Sequence, residues 1–190
     1  MTRKEQKEKR RQEILFSALG LFIHNGYAGT KIQDIAEAVN MSVGLMFHYF
    51  ESKEKLYEEL IKLGRTGPQG FLNDFDGEPL EFFQKAASNF IKMSKEKPFI
   101  AKMAVLMSQA RYNNAAPESI KKLMADDSLI TTSVKKIKQG QRNGTIREGN
   151  PLALANVFWG AIQGTIEQIA LIPDTPIPDS EWILDILRNT

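Results

Sequence analysis

Cysteine is absent from the 190 residues, which excludes disulfides, thiolate metal sites and thiol nucleophiles together. Histidine is almost absent: His24 and His48 are the only two, so everything after position 48 lacks an imidazole for acid–base or metal chemistry. No P-loop and no glycine-rich dinucleotide fingerprint occurs. The adjacent acids Asp126 with Asp127 and Glu58 with Glu59 point apart on a helix, as solvated surface does. These absences argue against an enzyme, and the sequence asks for no cofactor and no metal. No apolar run reaches the roughly eighteen residues of a membrane span, and the N-terminus is charged rather than signal-like. The expectation is a soluble, cytoplasmic protein with no membrane partner. Charge of one sign is also scarce overall, at net +2. It is concentrated at the start, where Arg3, Lys4, Lys7, Lys9, Arg10 and Arg11 stand against Glu5 and Glu8. That run reads either as a solvated helix start or as a basic arm reaching phosphates or a minor groove.

What is present is helical punctuation at close intervals. Ile14, Leu15, Ala18, Leu19 and Phe22 form one stripe of a helix expected from about 5 to 24, with Gly26 as its stop. Thr30 and Gln33 have the form of a capping box ahead of Ile32, Ile35, Ala36 and Val39, predicting a helix over 31–39. Asn40 tolerates a left-handed backbone, Ser42 can cap a second short helix, and Ser52 a third. This is the grammar of a helix-turn-helix, whose second helix enters the major groove of DNA by its N-terminal end.

The segment resembles the DNA-binding domain of the tetracycline-repressor (TetR) family of transcriptional regulators, whose characteristic residues it carries at Thr30, Ile35, Ala36, Ser42, Gly44, Tyr49, Phe50 and Lys53. Asn40 and Met41 stand where the family has Gly and Val, and Phe47 where it has Tyr, which removes one phosphate hydrogen bond. The resemblance is specific over about 10–62 and architectural beyond. It implies an all-α fold of about nine helices, with a three-helix head at 1–52 on a helical ligand-binding and dimerisation body at 53–190. It also implies a repressor released from a palindromic double-stranded DNA operator by a small-molecule effector; an activator or architectural DNA-binding protein of the same fold is the alternative. The candidate DNA contacts are Thr30, Lys31, Ser42, Val43, Gly44, Leu45, Phe47, His48, Tyr49 and Lys53. Thr30 and Lys31 open a helix whose free N–H groups suit a phosphate, and Gly44 lets the backbone approach closely. Val43 and Leu45 can meet a thymine methyl. Phe50 is the expected core anchor.

Gly64, Gly67, Pro68 and Gly70 interrupt the Leu56, Leu60, Leu63 pattern and predict a kink or loop between head and body. Beyond it, helices are expected over 79–96, 98–112, 117–140, 151–171 and 179–188, with Pro79, Pro98, Pro117 and Pro151 at their starts. Phe83, Phe90, Met93, Met103, Met107 and Met124 supply large, pliable side chains that suit either an adaptable apolar pocket or a packed core. Asp127 and Thr131 extend the stripe and are added as polar ligand contacts. The 151–171 segment is apolar nearly all round, so it must be buried on more than one side. With the last helix it resembles the family's contribution to a four-helix dimer bundle, through Leu154, Phe158, Trp159, Ala161, Gly164, Trp182 and Ile186; a central helix in a monomeric core is the other reading. A homodimer would present two heads to successive major-groove faces about 34–36 Å apart.

Overall fold

The computed structural model describes residues 1–72, 77–113, 116–125 and 128–189, with the side chains of all but 67–72. In chain order its helices are α1 (Arg3–Gly29), α2 (Ile32–Ala38), α3 (Val43–Phe47), α4 (Lys53–Leu72), α5 (Pro79–Glu96), α6 (Pro98–Tyr112), α7 (Glu118–Met124), α8 (Ser128–Arg142), α9 (Pro151–Leu171) and α10 (Ser180–Leu184). Among the described residues the only strand-like pairing is a single bridge between Ile146 and Arg188. The fold is therefore all-α, and four of the prolines named above stand where helices begin.

The chain forms two compact units, Met1–Arg65 with Val105–Ala125, and Thr66–Ala104 with Asp126–Thr190. In the first, the α1 stripe Ile14, Leu15, Ala18, Leu19 and Phe22 is buried together with Ile35 and Ala36 of α2, Met46 of α3, and Leu56, Tyr57 and Leu60 of α4. Each of the Ile, Leu, Phe and Met side chains among them contributes about 1.5–3 kcal/mol by leaving water. Phe22 meets Tyr57 edge-on with ring centroids 4.8 Å apart, and Tyr27 lies 4.8 Å from Tyr57 and 6.0 Å from Phe22, so the three rings form one cluster. The second half of α6 and α7 complete this unit. Gln109 Nε2 donates to the Ile23 carbonyl (3.1 Å), the Ser119 hydroxyl to Glu54 (2.6 Å), and the Arg65 guanidinium to the Leu123 carbonyl.

The second unit is built on α5, α8, α9 and α10. Its core joins Phe82, Phe83, Ala86 and Ile91 of α5 to Ile137 of α8, Ala155, Phe158, Ile162 and Ile166 of α9, and Ile183 and Leu184 of α10. A run of edge-to-face rings passes from Phe82 to Phe83 (5.0 Å), Phe158 (4.9 Å), Trp159 (5.3 Å) and Phe90 (5.8 Å). Trp159 Nε1 donates to the buried Ser133 hydroxyl (2.8 Å), which donates in turn to the Leu129 carbonyl (2.8 Å), so the one polar group of the indole is satisfied. All four tyrosines fall in the first unit and both tryptophans in the second.

Three expectations are corrected here. The Gly/Pro cluster makes no loop: helix α4 continues through it, from Lys53 to Leu72. Leu56, Tyr57, Leu60 and Ile61 anchor its first half, so the one backbone hydrogen bond that Pro68 removes does not end it. The expected 117–140 helix is two, α7 ending at Met124 and α8 beginning at Ser128; the intervening sequence supplies Asp and Ser, residue types that favour helix ends over helix interiors. The last helix stops at Leu184 rather than 188, because the following residues pair with the stretch after α8. There Arg147 N–H donates to the Leu187 carbonyl (2.9 Å), and Ile146 bridges to Arg188. Gly140 makes room for Ile146, whose side chain would lie 2.5 Å from any Cβ placed there.

Candidate nucleic-acid interface

The turn between α2 and α3 is set by one residue. Asn40 adopts φ 52°, in the left-handed region, and lets Met41 N–H fold back to the Ala36 carbonyl (2.8 Å) while its own N–H donates to Glu37 (2.9 Å). The Ser42 hydroxyl then accepts from Leu45 N–H (3.2 Å) and starts α3; Ser52 accepts from Lys55 N–H (3.1 Å) and starts α4. Within α3, Met46 is fully buried, and Phe50 just beyond is 4% exposed. Those two side chains fix which edge faces out. Gly44, Leu45, Phe47 and His48 are exposed, while Val43 and Tyr49 are half-buried. Leu45 and Phe47 stand 46% and 47% exposed, large for apolar side chains on so small a unit. No Cβ placed on Gly44 would meet an atom within 4 Å, so that position is open to an approaching backbone. The helix ends at Phe47; His48 is its C-cap, and its N–H donates to Leu45 (3.1 Å).

The reading pair is held from behind by the basic N-terminal run. Arg10 donates to the Val39 carbonyl at the end of α2 and pairs with Glu13 (2.7 Å). Arg11 makes a two-point ion pair with Glu59 on α4 and lies 4.7 Å over the Phe50 ring. α1 starts at Arg3 with a Thr2–Glu5 capping box, so the first residues are helix and not an extended arm. Arg3, Lys4, Lys7 and Lys9 remain exposed.

Two of the expected phosphate contacts are turned inward. Thr30 is fully buried, and its hydroxyl donates to the carbonyls of Leu21 (3.2 Å) and Gly26 (2.8 Å), satisfying α1 where Gly26 bends it at φ 70°. It does not form the capping box with Gln33; instead the Asp34 carboxylate accepts from Lys31 N–H (2.8 Å). Lys31 is exposed at the start of α2. Lys53 is half-buried, and its side chain engages the protein. Its ammonium donates to the Tyr27 carbonyl (2.7 Å) and the Thr30 carbonyl (2.8 Å) and rests 4.3 Å over the Tyr27 ring. Burial lowers its pKa, opposed by the nearby Asp34 carboxylate. Burial likewise raises the Tyr27 hydroxyl, with Glu54 adding to the effect, and pushes Tyr57 up to about 12. A groove of ≈ 380 Å³ brings Lys31, Ile32 and Gln33 of α2 together with Phe47, Ser52 and Lys53.

The expected ligand residues do not form one described cavity. Phe83 is fully buried in the aromatic run of the second unit, and Phe90 packs on Trp159. Met103 is buried in that unit, while Met107 and Met124 belong to the first. Met93 is 37% exposed and Thr131 is exposed, because each points off the outer face of its helix; neither lines an interior. Asp127 lies outside the described residues. A groove of ≈ 620 Å³ does run between the end of α5 and the approach to α10, lined by Ile91, Lys92, Lys95 and Ile177 among others, and holds none of the expected residues.

The residues expected at a dimer interface divide between the core and the surface. Phe158 is wholly buried in its own core, Trp159 is tied to Ser133, and Leu154, Ala161 and Ile186 pack at least partly against that core. The uncovered face of α9 instead presents Ala153, Val157 (56% exposed), Gly160 and Leu171 (58%), with Gly164 open beside them; Trp182 on α10 is 70% exposed. Sequence reading missed Met46, Arg10 and Arg11. Met46 lies between exposed neighbours on a five-residue helix, too short to show a periodic stripe, and the Arg11 partner lies 48 positions away.

Residues 14–60 match the family described as bacterial regulatory proteins, tetR family. Over 72 residues the chain is 36% identical to the HTH-type transcriptional repressor KstR2 of Rhodococcus jostii (strain RHA1), a stretch that is 38% of this chain and 32% of that protein's length. Among solved structures, the MbdR regulator from Azoarcus sp. CIB superposes with a TM-score of 0.79 over 95% of this chain and 98% of its own, at 19% identity. AibR in complex with isovaleryl coenzyme A and operator DNA superposes with a TM-score of 0.68 over 93% and 94%, at 21% identity. At such identities the structural likeness establishes the fold, over nearly the whole chain.

Proposed function

We propose that the protein, whose residues 14–60 match the tetR family of bacterial regulatory proteins, is a transcriptional repressor whose grip on operator DNA is set by a small, mostly apolar molecule. One observation carries the DNA half of this reading: α3 is anchored through Met46 and Phe50 so that Gly44, Leu45, Phe47 and His48 form an uncovered edge. An edge without Arg, Asn or Gln makes few base hydrogen bonds, so apolar contact with thymine methyls and DNA shape carry the specificity. Lys31, His48 and the Tyr49 hydroxyl supply phosphate contacts, and the exposed Arg3, Lys4 and Lys7 of α1 add to the electrostatic share. On this reading the DNA-binding head is residues 1–52 and effector binding belongs to 53–190.

The effector half is supported by the relatives: AibR is described with isovaleryl coenzyme A, and KstR2 of Mycobacterium tuberculosis as a ketosteroid transcriptional regulator. Both names point to molecules with an apolar body. Such a molecule controls DNA binding only if it binds the two arrangements of the protein with different affinity. The protein acts in the cytoplasm as a homodimer, paired through the uncovered face of α9 with Trp182 at its side. The test is selection of duplexes from a randomised pool by the full chain, followed by titration of the enriched duplex with and without isovaleryl coenzyme A or a ketosteroid. A palindrome should be enriched and one class of compound should weaken its binding. Failure to enrich any duplex defeats the proposal; undiminished binding with both probes removes the effector class they represent.

A further inference from the structure

Lys53 is the first residue of α4, yet its side chain reaches away from that helix to the corner between α1 and α2. The ammonium spends two of its three N–H donors on the Tyr27 and Thr30 carbonyls, and sits on the Tyr27 ring. Those carbonyls lie at the end of α1, after the Gly26 bend, where intrahelical donors have run out. Tyr27 is pinned in turn against Tyr57 of α4, and the Thr30 hydroxyl ties the same corner back to Leu21 and Gly26. The reading pair α2–α3 leaves the rest of the head from this corner. One side chain therefore joins three pieces: the start of α4, the end of α1, and the residue from which α2 departs.

We infer that Lys53 is a positioning residue, which fixes the angle of α2–α3 against α4 by cross-linking the Tyr27 and Thr30 carbonyls, and does not itself contact a DNA phosphate. This rests on the reading of the head as a DNA-binding module and names one of its working parts. Desolvation of the ammonium by its surroundings agrees with an inward role. α4 continues to Leu72, so Lys53 is the point at which that helix is fastened to the reading pair.

The two roles leave different marks on salt dependence. A lysine that neutralises a phosphate contributes about 0.9 to the slope of log affinity against log salt, whereas a positioning residue changes affinity at every salt concentration alike. The experiment uses the full chain, wild type and Lys53→Met, titrated with the duplex that the wild type enriches, over a range of potassium chloride concentrations. The fraction of active protein is measured by stoichiometric titration. The expected result for Lys53→Met is affinity lower by about tenfold, an unchanged salt slope and an unchanged active fraction. A slope smaller by about 0.9, or wild-type affinity, overturns the inference. An unchanged affinity with fewer active molecules also overturns it, since that marks a purely structural lysine. Lys53→Arg keeps the fold testable if the methionine variant does not fold. Arginine serves a phosphate as well as lysine does, but its planar fork does not reproduce an ammonium seated between two carbonyls and a ring. Weaker binding at unchanged slope supports positioning, and wild-type binding overturns it. A wild type that enriches no duplex defeats the functional reading itself; a wild type that binds beside variants with altered slope defeats only the role of Lys53.

Discussion

Asn40 carries a left-handed backbone at the tightest point of the head. A residue with a plain Cβ pays about 1–2 kcal/mol for that conformation. Asn40→Ala should therefore lower the head's stability by about 1 kcal/mol in urea unfolding, and Asn40→Gly should match or exceed the wild type. The edge of α3 separates stability from binding in the same way. Met46→Ala and Phe50→Ala remove buried side chains and should each cost about 2–5 kcal/mol. His48→Ala and Tyr49→Ala should leave stability within about 1 kcal/mol while weakening duplex binding in a gel-shift titration. The reverse pattern would mean that α3 is turned the other way. Asn40, Ser42 and Ser52 were legible in the sequence because their chemistry is local: a turn conformation or a cap three residues on. Thr30 and Lys53 were not, because their partners lie 4, 9, 23 and 26 positions away and carry no signature of the pairing.

The helices repeat this distinction. Most of their starts were legible from proline and capping residues. Packing against distant residues decided the rest, as with α4 passing through its Gly/Pro cluster. On α9 the sequence shows an apolar circumference but not its rotation, and only the aromatic run with Phe83 shows that Phe158 faces inward. The outward face can be challenged alone. Val157→Arg leaves the core intact, so sedimentation of the variant should give a folded monomer where the wild type gives a dimer; a variant that stays dimeric removes this face as the interface. α1 offers a parallel test at its free end. Arg3 and Lys7 share the helix face of Arg10, which follows them by seven and three residues, and residues 1–9 are all exposed. Replacing Arg3 and Lys7 together with alanine should lower the salt slope of duplex binding by up to about 1.8, with no change in melting temperature.

Across the whole molecule, acid and alkali act on the first unit by opposite routes. Tyr57 is raised from its ordinary 10.0 to about 12, foremost by burial, so the folded state holds this proton more tightly than the unfolded chain does. Stability is intact below pH 10 and is lost as pH rises from there through about 12. Glu58 moves the other way, from 4.5 down to about 2, held by hydrogen bonds from Lys55 and then Lys62. Its contribution is present above the ordinary value and fades between pH 4.5 and about 2. Glu58 is half-buried but both lysines that hold it are exposed, so the acid effect should be small beside the alkaline one. Unfolding in urea that shows no fall in the first unit's stability between pH 10 and about 12 would contradict the buried setting of Tyr57. The separation of aromatic types gives this experiment its readout. With phenols confined to one unit and indoles to the other, tyrosinate absorbance follows the first and indole emission the second in a single unlabelled sample. A small molecule that shifts the indole emission at neutral pH then declares that the second unit has felt it.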